Sequence, residues 1–120
     1  MSIMVSDCLN LPALREAKVV AGHGGLSKIV SAVSVLEYAD ISLLVDGLFL
    51  GNELIISALV SIKDDVEAQC RLIRRLHEVG EVGLILYYTG IFVPCLDKQL
   101  LQTADELDFP LICMPENRFD

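Results

Sequence analysis

Chemistry in this chain would have to come from two histidines, four cysteines, one glycine-rich turn, and the hydroxyl and carboxyl side chains that border its apolar runs. Gly22-His23-Gly24-Gly25 has the composition of a phosphate cradle. A dinucleotide site, however, needs G-x-G-x-x-G opening a helix, and strand-like residues follow here, so a hairpin turn is the better reading. His23 has no carboxylate or second ligand within sequence reach, and His77 falls late in a helical segment, where a cation is favourable. Cys8, Cys70, Cys95 and Cys113 are widely separated and form no C-x-x-C pair, which argues for buried thiols in a reducing compartment rather than a zinc or redox site. No metal or cofactor is expected.

Catalysis would require a nucleophile beside a base, or two carboxyls in unlike environments. Ser57 and Ser61 lack the strand-to-helix turn that exposes a nucleophilic serine, and Asp64-Asp65 reads as a helix start. The expectation is a protein that is not an enzyme. Ligand contact is a separate question, because open parallel sheets bind ligands beyond the carboxyl ends of their strands. The qualifying loops begin at Ser57, at Tyr88-Thr89-Gly90 and at Pro115-Glu116-Asn117. Ser57, Thr89, Gly90, Glu116 and Asn117 are therefore the candidate ligand-binding residues, against the alternative that these are ordinary connections. Gly51-Asn52-Glu53 is either a turn that sets the start of a strand, the favoured reading, or a polar loop that touches a ligand or partner.

The hydrophobic pattern supplies the framework for these positions. A helix over 64–79 has Val66, Cys70, Ile73 and Leu76 at helical spacing, with Gly80 where a C-terminal cap belongs. Residues 82–88 are a continuous apolar run, as in a strand buried on both faces, and 97–108 return to helical spacing through Leu100, Ala104 and Leu107. Pro110 leads into a strand over 111–114, and 53–57 is another. Strand, helix, strand, helix, strand from residue 53 onward specifies right-handed crossovers: an α/β fold with a mostly parallel sheet and helices packed on it. Upstream, Ser6 is expected to cap a short helix, and strands over 18–22 and 29–36 flank the glycine turn in a β-hairpin-like N-terminal part. A brief helix over 39–45, a turn at Asp46-Gly47 and an extended 48–50 complete the expectation.

A length of 120 residues fits a single domain spanning 1–120. Hydrophobic residues make up 53% of the chain, enough to cover both faces of some strands and to feed a subunit interface, as in a homodimer. The formal charge of −8 repels phosphate backbones. Arg71, Arg74 and Arg75 share a helix with Asp64, Asp65 and Glu67 at its start, the arrangement of a solvated face suited to the helix dipole. The start has no basic n-region, and the apolar stretch 54–62 is too short to span a bilayer, so a cytoplasmic protein without membrane contact is expected.

Several landmarks are collinear with a known family. Val5-Ser6-Asp7 with Leu9, Leu11-Pro12 and Leu14 comes first, then Val19-Val20-Ala21-Gly22 followed by Gly25-Leu26 and Val30. Gly51-Asn52-Glu53-Leu54-Ile55-Ile56-Ser57 is next, and Ala104-Asp105-Glu106-Leu107 running into Phe109-Pro110-Leu111-Ile112 and Met114-Pro115 closes the series. In that order and spacing the chain resembles the purine catabolism regulator (PucR-like) N-terminal domain family of bacterial transcription regulators, over nearly its whole length. The family more often has a second glycine where Asn52 stands, a mild departure because Asn also tolerates left-handed backbone angles.

The resemblance implies a regulatory domain, placed first in its protein, that serves control of purine or amino-acid catabolism while a helix-turn-helix far downstream binds DNA. The chain stops at Glu116-Asn117-Arg118-Phe119-Asp120 without a terminating feature, as expected of a piece of a longer protein. The partners expected are a small-molecule metabolite effector and a second copy of the chain. A ligand-free oligomerisation module is the first rival, and a small α/β enzyme the second.

Overall fold

The computed structural model describes residues 3–14, 16–35, 51–57, 64–86 and 97–114. Within them five strands form one sheet in the order β1-β5-β4-β3-β2. These are β1 (Lys18–Ala21), β2 (Ala32–Val35), β3 (Glu53–Ser57), β4 (Gly83–Leu86) and β5 (Leu111–Cys113). β2, β3, β4 and β5 run parallel, and β1 is antiparallel to β5. Among the described residues three helices accompany the sheet: α1 (Val5–Cys8), α2 (Val66–Glu78) and α3 (Lys98–Glu106). The architecture is the expected α/β class with a mostly parallel sheet. The expected segments 39–45, 46–47 and 48–50 lie outside the described residues.

Each long helix starts and stops for a local reason. Asp65 caps α2 by accepting from the Ala68 N–H at 3.0 Å, and Asp97 caps α3 by accepting from the Gln99 N–H at 2.8 Å. Both helices end in the same way. Gly80 turns left-handed after α2, the Gly80 N–H donates to the His77 carbonyl, and the Glu81 N–H reaches back to the Leu76 carbonyl at 2.9 Å. After α3, Asp108 takes the left-handed role, and the Phe109 N–H donates to the Ala104 carbonyl at 2.9 Å. These paired 6→1 and 5→2 bonds satisfy the last carbonyls and aim the chain straight into β4 and β5.

The sheet has apolar layers on both faces, as its run of buried strand residues requires. On one side Ile55, Leu84, Leu86 and Leu111 meet Cys70, Leu72, Ile73 and Leu76 of α2 and Leu100 and Ala104 of α3, with Phe109 fully buried among them. On the other side Leu54, Ile85 and Ile112 meet Val5 and Cys8 of α1 and Leu14 of the short 3-10 turn Pro12–Leu14. No described helix is long and apolar enough to cross a membrane.

The N-terminal part departs from expectation. β1 and β2 do not form a hairpin: they lie at opposite edges of the described sheet. The reason is the glycine turn, which is a 3-10 turn (His23–Gly25) docked on the loop after α3 rather than a two-residue reversal. Gly22 has φ 72°, its N–H donates to Asp105 Oδ1 at 2.7 Å, and a Cβ there would run into the Phe109 carbonyl. The chain then passes beside its own start, where Val5 N–H donates to Lys28 O and Val30 N–H to Ile3 O, before reaching β2. Alternation in the sequence marked the strand but could not name its neighbour.

Ser6 is not the cap of α1 either. Met4 holds that position, and Asp7 reaches back to accept from the Met4 N–H at 2.9 Å. The Val5 and Ser6 amides donate to Lys28 and Leu26 carbonyls, so the first turn needs no hydroxyl cap.

Candidate functional site

The polar centre of the described structure sits at the amino ends of β3 and β4, and its positions are set by two turns that touch. Gly51 (φ 86°) and Asn52 (φ 56°) are consecutive left-handed residues, and the second needs Asn or Gly to be cheap. The Asn52 N–H donates to the Gly80 carbonyl at 2.8 Å, the Asn52 carbonyl accepts from Ser31 N–H at 2.7 Å, and its side-chain amide donates to the Ile29 carbonyl at 3.4 Å. Gly51-Asn52-Glu53 is thus the junction of the 29–31 segment, β3 and the end of α2.

Two carboxyls are buried at this junction. Glu53, the first residue of β3, is 6% exposed, and Glu81, delivered by the cap of α2, is 2% exposed. The Glu53 N–H donates to Glu81 Oε1 at 3.3 Å, and the Glu53 carbonyl accepts from Val82 N–H at 3.0 Å. From β2 the Ser34 hydroxyl donates to Glu53 Oε2. Glu81 Oε2 is buried without a hydrogen-bond acceptor or donor assigned to it among the described residues, while the two side chains are in hydrogen-bond contact. Burial, reinforced by that contact with Glu53, pushes the Glu81 carboxyl up to about 7; the backbone amides of Glu53 and Gly51 pull weakly the other way. Below that value a protonated Glu81 can satisfy its own orphaned oxygen by donating to Glu53, which makes the pair a carboxylic acid on a carboxylate. Such a pair stores one proton, and its burial keeps substrates from reaching it.

The sequence candidates fall out unevenly. Ser57 is buried at the carboxyl end of β3, in register with Leu86 of β4. Thr89, Gly90, Glu116 and Asn117 lie outside the described residues, as does Cys95. Gly51 and Asn52 form a turn at the start of β3, and Glu53 turns inward instead of facing a ligand at the surface. Glu81 was not singled out by sequence reasoning, although an acid directly after a cap glycine and before a buried strand is a legible signal. His23 is exposed on the glycine turn and His77 on the last turn of α2. Cys8 is buried, which together with the neighbouring Asp7 raises its thiol, and Cys70 accepts from the Thr103 hydroxyl at 3.6 Å. Among the described residues no group of three His, Cys, Asp or Glu could hold a metal ion.

The comparisons with known proteins agree on one class, proteins described as regulatory in purine catabolism. The chain belongs to the purine catabolism regulatory protein-like family, whose model matches residues 7–119. One relative is the "Purine catabolism regulatory protein" of Bacillus subtilis (strain 168), 30% identical over 113 residues, a match that takes in 94% of this chain and 20% of the relative. The chain therefore spans about a fifth of the length of the curated relative it matches. No solved structure matches it.

Proposed function

We propose that this chain is the N-terminal regulatory domain of a cytoplasmic transcription regulator of purine or amino-acid catabolism, and that it senses a small metabolite or relays a partner's state to a DNA-binding domain elsewhere in the same polypeptide. The observation that carries this reading is the match to one fifth of a purine catabolism regulatory protein by a segment of net charge −8. A surface of that charge repels phosphate, so the DNA-binding function belongs to the remaining length. The domain works without enzymatic chemistry, by a population shift between two arrangements of itself or its dimer. The effector surface would be the carboxyl ends of the parallel strands, with Ser57, Thr89, Gly90, Glu116 and Asn117 as its candidate contacts.

The test is a thermal-shift screen of the domain against purine-pathway intermediates and amino-acid catabolites, with a DNA-retention assay alongside. A ligand that binds the native state raises the melting temperature. Silence across a broad library would remove direct sensing, and retention of DNA by the domain alone would remove the division of labour. The second reading, an interaction module without a ligand, is favoured by Val33 and Val35, which are 53% and 68% exposed on β2 at an edge of the described sheet. Sedimentation of the same sample at high concentration tests it, and a strictly monomeric result would count against it.

A further inference from the structure

We propose that Glu81, Glu53 and Ser34 form a proton-held clasp that fastens β2 and the adjoining 29–31 segment to the amino end of the sheet, and that loss of the shared proton opens it. The inference stands on the junction itself and is independent of the regulatory reading.

The clasp follows from where its parts come from in the chain. Ser34 belongs to β2, Glu53 to β3, and Glu81 to the turn that leaves α2. Glu53 accepts from Ser34 on one side and offers its N–H to Glu81 on the other, so β2 and the α2 cap are joined through a single residue. The backbone repeats that linkage one residue earlier, through Ser31 to Asn52 and Asn52 to Gly80. Both carboxyls are more than nine-tenths buried, and Glu81 Oε2 has a partner only if it carries a proton.

The groups around Glu81 make the direction of the switch clear. From β3 it meets the Glu53 side chain and N–H and from the turn before β3 the Gly51 backbone, while the Ser34 hydroxyl of β2 donates to Glu53. At the end of α2, His77 and Glu78 are solvent-exposed, and Lys28, on the segment before β2, lies over the Phe109 ring with Asp108 as its charged neighbour. Deprotonation releases one proton to solvent from Glu81 Oε2 and leaves two buried carboxylates in contact, with the Glu81 oxygen now an acceptor facing an acceptor. The cheapest relief is to let water in along the seam between β2 and β3, because β2 is an outer strand of the described sheet and three of its four described residues are already exposed. The value of about 7 for Glu81 puts this event near neutral pH.

The test has a direct arm and a consequence arm. Carbon-13 NMR of the glutamate carboxyls in the unmodified protein should show one of the Glu53 and Glu81 pair titrating above about pH 6; if both titrate in the ordinary range near 4, the proposal is wrong. Hydrogen exchange, corrected for intrinsic rates, should show protection of the β2–β3 ladder amides falling by about tenfold or more between about pH 6 and pH 8.5, while α3 amides keep theirs. Glu81→Gln, whose amide can donate to Glu53 at any pH, should retain β2 protection across that range. Equal pH dependence in Glu81→Gln and the unmodified protein would overturn the proposal. Should the variant fail to fold, the carboxyl titration and the exchange of the unmodified protein decide it.

Discussion

Glu81 closes the cap of α2 with its backbone N–H, donated to the Leu76 carbonyl, and meets Glu53 at the start of β3 with its side chain. One residue thus ties the end of a helix to the beginning of a strand 28 positions earlier in the chain. The backbone half of that link is insensitive to pH, and the side-chain half is not.

Stability should therefore depend on pH through Glu81. Its carboxyl is raised in the folded protein, from 4.5 to about 7, so folding takes up a proton between those values. The stabilisation is fully present below 4.5 and is lost as pH rises through about 7, amounting to at most about 3 kcal/mol. Urea unfolding of the unmodified protein and of Glu81→Gln should diverge over this window, with the variant the more stable above about pH 7. Parallel curves from acid to alkaline pH would show that Glu81 titrates normally.

Two left-handed glycines should respond differently to the same change. At Gly22 an alanine methyl would meet the Phe109 carbonyl, and the turn that places its N–H on Asp105 would have to move. At Gly51 the nearest atom to such a methyl is the Val79 carbonyl oxygen at 3.5 Å, an ordinary contact. Gly51→Ala then costs only the left-handed backbone, about 1–2 kcal/mol, and Gly22→Ala costs more, about 3 kcal/mol or above. Denaturant midpoints of the two variants give the ranking, and similar losses would contradict the docking of the glycine turn on the end of α3.

Removing the helix cap offers a calibration. Asp65→Ala leaves the Ala68 N–H without its side-chain acceptor at an exposed helix start, which should cost about 1 kcal/mol with little effect on the rest of the fold. Asp65→Asn, which keeps the acceptor oxygen, should restore most of that loss.

How legible all this was in the sequence differs between the halves of the chain. From residue 53 onward, β3, α2, β4, α3 and β5 stand where periodicity and the cap signals put them, because each is specified by its own residues: Asp65 and Asp97 start helices, Gly80 ends one, and apolar runs mark strands. In the N-terminal part the short helix and both strands stand where their residues put them, and only the pairing of the strands and the cap of α1 differ, because those partners are distant. Nothing local to Gly22 says that Asp105, 83 positions away, will accept its amide proton, and nothing local to Ser34 says that Glu53 will accept its hydroxyl. The polar centre is half legible: Glu53 stands out in the sequence by its place in a turn, whereas its burial depends on the α2 cap that brings Glu81 against it.

The outer strand supplies the last prediction. Val33 and Val35 pair in register with Leu54 and Ile56, so they continue the sheet face that elsewhere packs against α1 and Leu14. Both are nonetheless exposed, at 53% and 68%. Covering a valine is worth about 1.5 kcal/mol or more, so a second copy laid on this face would gain several kcal/mol from the pair and their neighbours. Val35→Lys should alter the stability of an isolated chain by less than about 0.5 kcal/mol, because the side chain it replaces is already in water. If the strand is an interface, the same variant should shift sedimentation at high concentration from dimer to monomer. A stability loss of more than about 1 kcal/mol in a monomer would show that Val35 is covered within its own chain in solution, and the interface reading would fall.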